Sequence, residues 1–130
     1  MHDMSLYQKF EETLVVALRT LWEQAHGTSV GQVRVLVGPD SVAAQIEGAL
    51  SPAERTMAQS VDGRLLLQRY AEQLLAVIQP DLRAQVESIT GHRVVSAGVR
   101  ADVDTGHVLC FFVLNESLAL LSTPNAESPL

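Results

Sequence analysis

The stretch from Arg64 to Ile89 constrains the fold of this chain more than any other. Leu67, Tyr70, Leu74, Val77, Ile78, Leu82, Val86 and Ile89 recur there at helical spacing, up to a Thr90-Gly91 stop. Asp62 stands ahead of it as a candidate N-cap. Laid out as one straight helix, Asp62 to Thr90 measures about 43 Å at about 1.5 Å per residue. A compact chain of 130 residues has a radius of gyration of about 14 Å, hence a diameter of about 36 Å. Such a helix overhangs its own globule, and the apolar stripe along the overhang needs cover. A second copy related by a two-fold axis supplies it, so the expectation is a homodimer whose seam uses Leu67, Tyr70, Leu74 and Val77. Pro80 lies inside the stretch and removes one backbone donor, so the helix either kinks there or restarts with Pro80 at its first position.

The remaining elements follow from shorter patterns. From Leu6, the apolar positions Phe10, Leu14, Ala17, Leu18, Leu21, Trp22 and Ala25 recur at steps of three and four, which predicts an amphipathic helix ending near Gly27. Val33, Val35 and Val37 alternate with Arg34 and Leu36; after Gly38-Pro39-Asp40-Ser41, Val42, Ala44 and Ile46 alternate again, so a hairpin is expected. Ser51-Pro52-Ala53-Glu54 supplies a hydroxyl at the N-cap, proline at the first helical position and a carboxylate three residues on, which starts a short helix. Val94-Val95, Val99, Val103 and the run Val108 to Leu114 predict two more strands, turning around Asp102 to Gly106. The order is α-β-β-α-α-β-β, an α-β-β unit used twice. It implies a two-layer α+β sandwich, a four-stranded, mostly antiparallel sheet with helices on one face. Residues 6–115 form the single domain, between a flexible segment over 1–5 and a partly flexible, Ser- and Pro-rich tail over 116–130.

Composition narrows the function classes. With 47% hydrophobic and 18% charged residues the chain is far from the disordered range. Its net charge is −6, and Lys9 is its only lysine, which argues against nucleic acid as a partner. The single cysteine, Cys110, cannot close an internal disulfide, and the N-terminus lacks a basic region followed by an apolar run, so a cytoplasmic protein without a signal peptide is expected. No uncharged apolar run of about 18 residues occurs, so no membrane insertion of its own is expected.

Residues able to carry chemistry are few. Asp102, Asp104 and Thr105 offer oxygen ligands beside His107, but without an extended calcium loop they read as a turn. His26, His92 and His107 each flank a glycine at an element boundary and read as local caps, with no metal-ligand spacing between them. Cys110 sits within an apolar strand and reads as a small buried hydrophobe, and neither Ser51 nor Ser96 lies in a nucleophile elbow. No enzymatic activity, cofactor or metal is expected. The one ligand site the residues suggest is for a small anion or nucleotide, using Arg64 and Arg69 at the start of the long helix together with Arg34 and Arg100 at comparable places in the two hairpins.

A family resemblance adds to this reading. Gly48-Ala49-Leu50-Ser51-Pro52-Ala53-Glu54, followed by Ala58, Gly63-Arg64, Pro80, Glu87, Thr90-Gly91, Val94, Ser96, Asp102 and Thr105-Gly106, resembles the MpsC-like family over about residues 5 to 115. Within it Gly48, Ser51, Pro52, Glu54, Gly63 and Gly91 are the structural motif positions. The resemblance implies a soluble component of a bacterial sodium-translocating, membrane-potential-generating system. It further implies an accessory or regulatory subunit beside a polytopic membrane transport protein, with inorganic carbon, as bicarbonate, at its furthest reach. Gln45-Ile46-Glu47-Gly48-Ala49 is less basic here than the family pattern, so an anion held through that face in relatives would be held differently in this chain. The reading from another class is a dimeric anion or nucleotide sensor with Arg34, Arg64, Arg69 and Arg100 at its seam.

Overall fold

A computed structural model describes residues 2–117. The elements are α1 (His2–His26), β1 (Val33–Val37), β2 (Ser41–Ile46), α2 (Pro52–Met57), α3 (Val61–Thr90), β3 (Val94–Asp102) and β4 (His107–Leu114), the expected order. Helix α1 begins at His2, inside the segment expected to be flexible over 1–5. The tail expected from 116 lies, beyond Ser117, outside the described residues.

The strands form one sheet in the order β1-β2-β4-β3, and all three pairings are antiparallel. The second strands of the two hairpins therefore meet in the middle. Val42 pairs with Phe112 and Ala44 with Cys110 across that central seam. Alternation decides which side of the sheet is covered: Val33, Val35 and Val37 of β1 and Val108, Cys110, Phe112 and Leu114 of β4 are buried, while the residues between them are not. Both long helices lie on that side, α1 against β1 and α3 against β3, and they pack on each other. Leu14, Leu18 and Trp22 of α1 close the core with Ala71, Leu75, Ile78, Leu82 and Val86 of α3.

The structure corrects the reading of α3 in three ways. Ser60, not Asp62, is its N-cap: the Ser60 hydroxyl accepts from the Gly63 N–H at 2.9 Å, and Asp62 lies in the first turn, where the helix dipole favours a carboxylate. The helix does not restart at Pro80 but runs unbroken from Val61 to Thr90. Pro80 is exposed, so the carbonyl it leaves without an intrahelical donor lies on the side open to water. The overhang argument also fails over most of the length. Leu67, Ala71, Leu75, Ile78, Leu82, Val86 and Thr90 are all buried by the chain's own elements. Two apolar lines run side by side along this helix, and packing against α1 and the sheet takes the one containing Ala71 and Leu75, leaving Tyr70 and Val77 outside.

Candidate functional site

Among the described residues nothing covers the side of the sheet away from the helices, and an apolar strip crosses its middle between polar ends. Registered pairs build it in rows. Arg34, Gln45, Leu109 and Arg100 make one row across β1, β2, β4 and β3, and Leu36, Ala43, Phe111 and Gly98 make the next. Ser41, Val113 and Ser96 continue it. Leu36 is 72% exposed and Phe111 49% exposed, and Leu109 beside them is exposed as well. Leu36, Phe111 and Leu109 thus leave large apolar side chains open on this face. The polar end is tied down from within: Gln45 Nε2 donates to His107 Nδ1 at 3.0 Å, and Arg34 Nη2 lies 3.2 Å from Glu47 Oε2.

The four arginines do not converge. Arg34 and Arg100 share a row, but three strand spacings, about 14 Å, separate their strands. Arg64 Nη1 donates to the Ala58 carbonyl at 3.2 Å, and its Nε lies 3.8 Å from Asp104 Oδ1. Arg69 is exposed on α3. Within one protomer no single pocket gathers them. The expected dimer seam is divided in the same way. Leu67 is only 1% exposed and belongs to the chain's own interior, which corrects its assignment to an interface, and Leu74 is partly buried against the core. Tyr70 and Val77 face outward, Val77 at 73% exposure.

The motif segment from Gly48 to Glu54 forms a knot under the C-terminus of α1. The capping box is complete: Ser51 Oγ accepts from the Glu54 N–H at 3.2 Å, and Glu54 Oε1 accepts from the Ser51 N–H at 2.9 Å. The same Oε1 takes His26 Nε2 at 2.7 Å, while His26 Nδ1 meets the Thr28 hydroxyl at 2.7 Å. The imidazole stacks on Trp22, centroids 5.1 Å apart and planes at 19°. His26 is therefore no local cap but a nearly buried bridge between α1 and α2. Its partner is 28 residues away, and no local pattern signals it. Beside it Trp22, His26, Glu54, Leu67 and Tyr70 line a cavity of about 10 Å³, room for one water molecule. The Trp22 Nε1 is buried without a protein partner. Gly63 completes the motif by close approach: a Cβ there would stand 1.9 Å from the Met57 carbonyl oxygen, so only glycine lets α3 leave α2 at this angle.

The other candidates resolve into structure. Asp102 Oδ1 accepts from the Asp104 and Thr105 N–H groups at 3.1 and 3.4 Å, as an Asx turn does. Among the described residues no three His, Cys, Asp or Glu side chains gather into a metal-holding group. Cys110 is buried, and burial pushes its thiol up from 9.0 to about 12. His92 remains at the boundary after α3, its backbone N–H on the Thr90 hydroxyl at 3.3 Å.

Compared with known proteins, the chain matches the family described as Na+-translocating membrane potential-generating system (MpsC) over residues 7–116. No curated protein and no solved structure matches it.

Proposed function

The chain belongs to the MpsC family, and from that membership we propose that it serves a Na+-translocating, membrane potential-generating system as an accessory or regulatory subunit that docks on a polytopic membrane transport protein. The match carries this reading because it spans α1 through β4, so the family relation attaches to the whole described fold and not to one motif. No described helix is long and apolar enough to cross a membrane, which fits a subunit held at the membrane by its partner. Such a subunit works from the cytoplasmic side and carries no catalytic centre of its own. The ion system it serves moves sodium or inorganic carbon.

Docking needs surface rather than a pocket, and the structure has apolar surface to spare on the sheet and on the outer side of α3. The anion or nucleotide sensor reading draws no support from the dispersed Arg34, Arg64, Arg69 and Arg100. The test is affinity purification of the tagged protein from mildly solubilised membranes of its source cell, followed by mass spectrometry and by membrane-potential and bicarbonate-uptake assays in a deletion strain. Co-elution of a polytopic transporter together with a sodium-dependent loss of potential in the deletion strain is expected. Recovery of soluble proteins alone, with potential and uptake unchanged, would overturn it.

A further inference from the structure

One contact pattern occurs twice where a long helix hands over to an edge strand. Arg19, Glu23, Gly27 and Val30 recur at identical spacing as Arg83, Glu87, Gly91 and Val94. In each copy the glutamate carbonyl accepts the glycine N–H, at 2.8 Å from Gly27 and 2.9 Å from Gly91, and both glycines have positive φ. The glutamate side chain then accepts the valine N–H, Val30 to Glu23 Oε2 at 2.9 Å and Val94 to Glu87 Oε2 at 2.8 Å. The arginine one turn earlier donates to the same valine's carbonyl, Arg19 Nη1 to Val30 at 3.5 Å and Arg83 Nη2 to Val94 at 3.0 Å. A base and an acid one helical turn apart thus hold both main-chain groups of one residue, as a neighbouring strand would.

These contacts fall on the outer edges of the sheet, since β1 and β3 are the strands with a neighbour on one side only. Gly31 and Gln32 both bond Glu47, and the Gly38 N–H donates to the Ser41 carbonyl, so by alternation Val33, Val35 and Val37 turn their main-chain groups outward. On β3 the Arg93 and Asp102 carbonyls accept from Asn115 and Gly106, and the register shifts between Val94 and Ser96, so Ala97, Val99 and Ala101 turn outward. At the far end of each edge a helix side chain again takes the main chain: the Val37 N–H donates to Glu11 Oε2 at 3.0 Å, and the Ala101 carbonyl accepts from Gln68 Nε2 at 3.1 Å. Both edges are therefore held at both ends, with Val33 and Val35 left between on one and Ala97 and Val99 on the other.

We propose that these side chains are edge guards, which stop a second copy of the chain from adding to β1 or β3 as a further strand. An exposed edge is a template for such pairing because its outward N–H and C=O groups are unpaired. Taking the ends shortens the template to the stretch 33–35 or 97–99, at the lower limit of the ~3 to 10 residues of ordinary strands. The same four residue types serve both helices, each time beside a strand without an outer neighbour, so the arrangement follows the edge and not the helix. The proposal does not rest on the membrane role.

The first test is residue-resolved hydrogen exchange of the wild-type full chain at low concentration. The Val30, Val37 and Val94 amides are expected to exchange at least tenfold more slowly than the outward amides of Val33, Val35, Ala97 and Val99. The second is sedimentation velocity from about 1 to 100 µM, comparing the wild type with Arg83→Ala/Glu87→Ala and with Arg19→Ala/Glu23→Ala. Each pair is expected to raise self-association at least tenfold over the wild type, and to slow Ala97 and Val99 exchange in the first variant, or Val33 and Val35 exchange in the second, as concentration rises. Glu87→Gln, which keeps an acceptor for the Val94 N–H, is expected to behave as the wild type. Where a double variant does not fold, Arg83→Ala alone opens the Val94 carbonyl with Glu87 in place. Equal exchange all along the wild-type edges overturns the proposal. So do variants with wild-type circular dichroism that keep the wild-type mass at 100 µM, or that associate while Ala97 and Val99 still exchange freely.

Discussion

Cys110 shows how much one side chain's surroundings decide. It sits in the central strand β4, opposite Ala44 on one neighbour and Val99 on the other, with its side chain under the helices. Burial disfavours the thiolate and lifts the folded-state pKa to about 12, against 9.0 for an ordinary thiol. Above pH 9 the unfolded chain releases this proton and the folded chain keeps it. The unfolded state then binds fewer protons, and stability falls with rising pH by about 1.4 kcal/mol per unit until pH 12. Below pH 9 the contribution is complete. Urea titrations at pH 8, 10 and 11 should show this extra loss in the wild type and not in Cys110→Ala. The same burial makes the native thiol slow toward disulfide reagents, with fast reaction only in denaturant. The apolar setting of Cys110 is readable from Val108 to Val113, whereas the bond from His26 to Glu54 joins two residues that no periodicity connects.

At the scale of elements, α3 separates local information from packing. Its limits follow from short-range rules: a hydroxyl at Ser60 before it, and Gly91 after it at φ 77°, a left-handed cap that glycine adopts without strain. Its continuity through Pro80 does not follow from them. A proline inside a helix loses one hydrogen bond wherever it sits, but whether the helix breaks depends on what holds the turns on either side. Here Leu75 and Ile78 before it and Leu82 and Val86 after it are anchored in one core, so both segments keep a common axis side. Pro80→Ala should therefore restore a bond in an unchanged helix. It is expected to raise stability by about 1 to 2 kcal/mol, the helix gain being partly offset by the freer unfolded chain. The urea midpoint at constant slope measures it.

For the molecule as a whole, the sheet has one heavily loaded face and one open face, and neighbouring residues of β4 report on them separately. Phe112 is fully buried between the sheet and the helices, while Phe111 points the other way. Phe112→Ala is expected to cost about 3 to 5 kcal/mol, a large part of the ~5 to 15 kcal/mol that holds a domain of this kind. Leu36→Ser on the open face is expected to change protomer stability by less than about 0.5 kcal/mol when measured at concentrations too low for association. Equal losses at both sites would mean that the open face is covered within the protomer. The family relation and the absence of a membrane-crossing helix among the described residues apply at this scale, since they concern the chain from α1 to β4 and no single group.

Element types, their order, the α2 capping box, the two hairpins and the α+β class are written in the sequence, because caps, turns and periodicity act within a few residues and leave a local trace. The motif from Gly48 to Glu54, with Gly63 and Gly91, was equally legible. Only the tertiary structure decided the strand order β1-β2-β4-β3, which puts the two hairpins' second strands side by side. It alone chose which of the two apolar lines of α3 is buried, and so moved Leu67 inside and left Val77 out. It also set Arg34, Arg64, Arg69 and Arg100 apart and joined His26 to Glu54. These are contacts between residues distant in the chain, and their energies depend on shape and register across the whole core, which no window of local sequence contains.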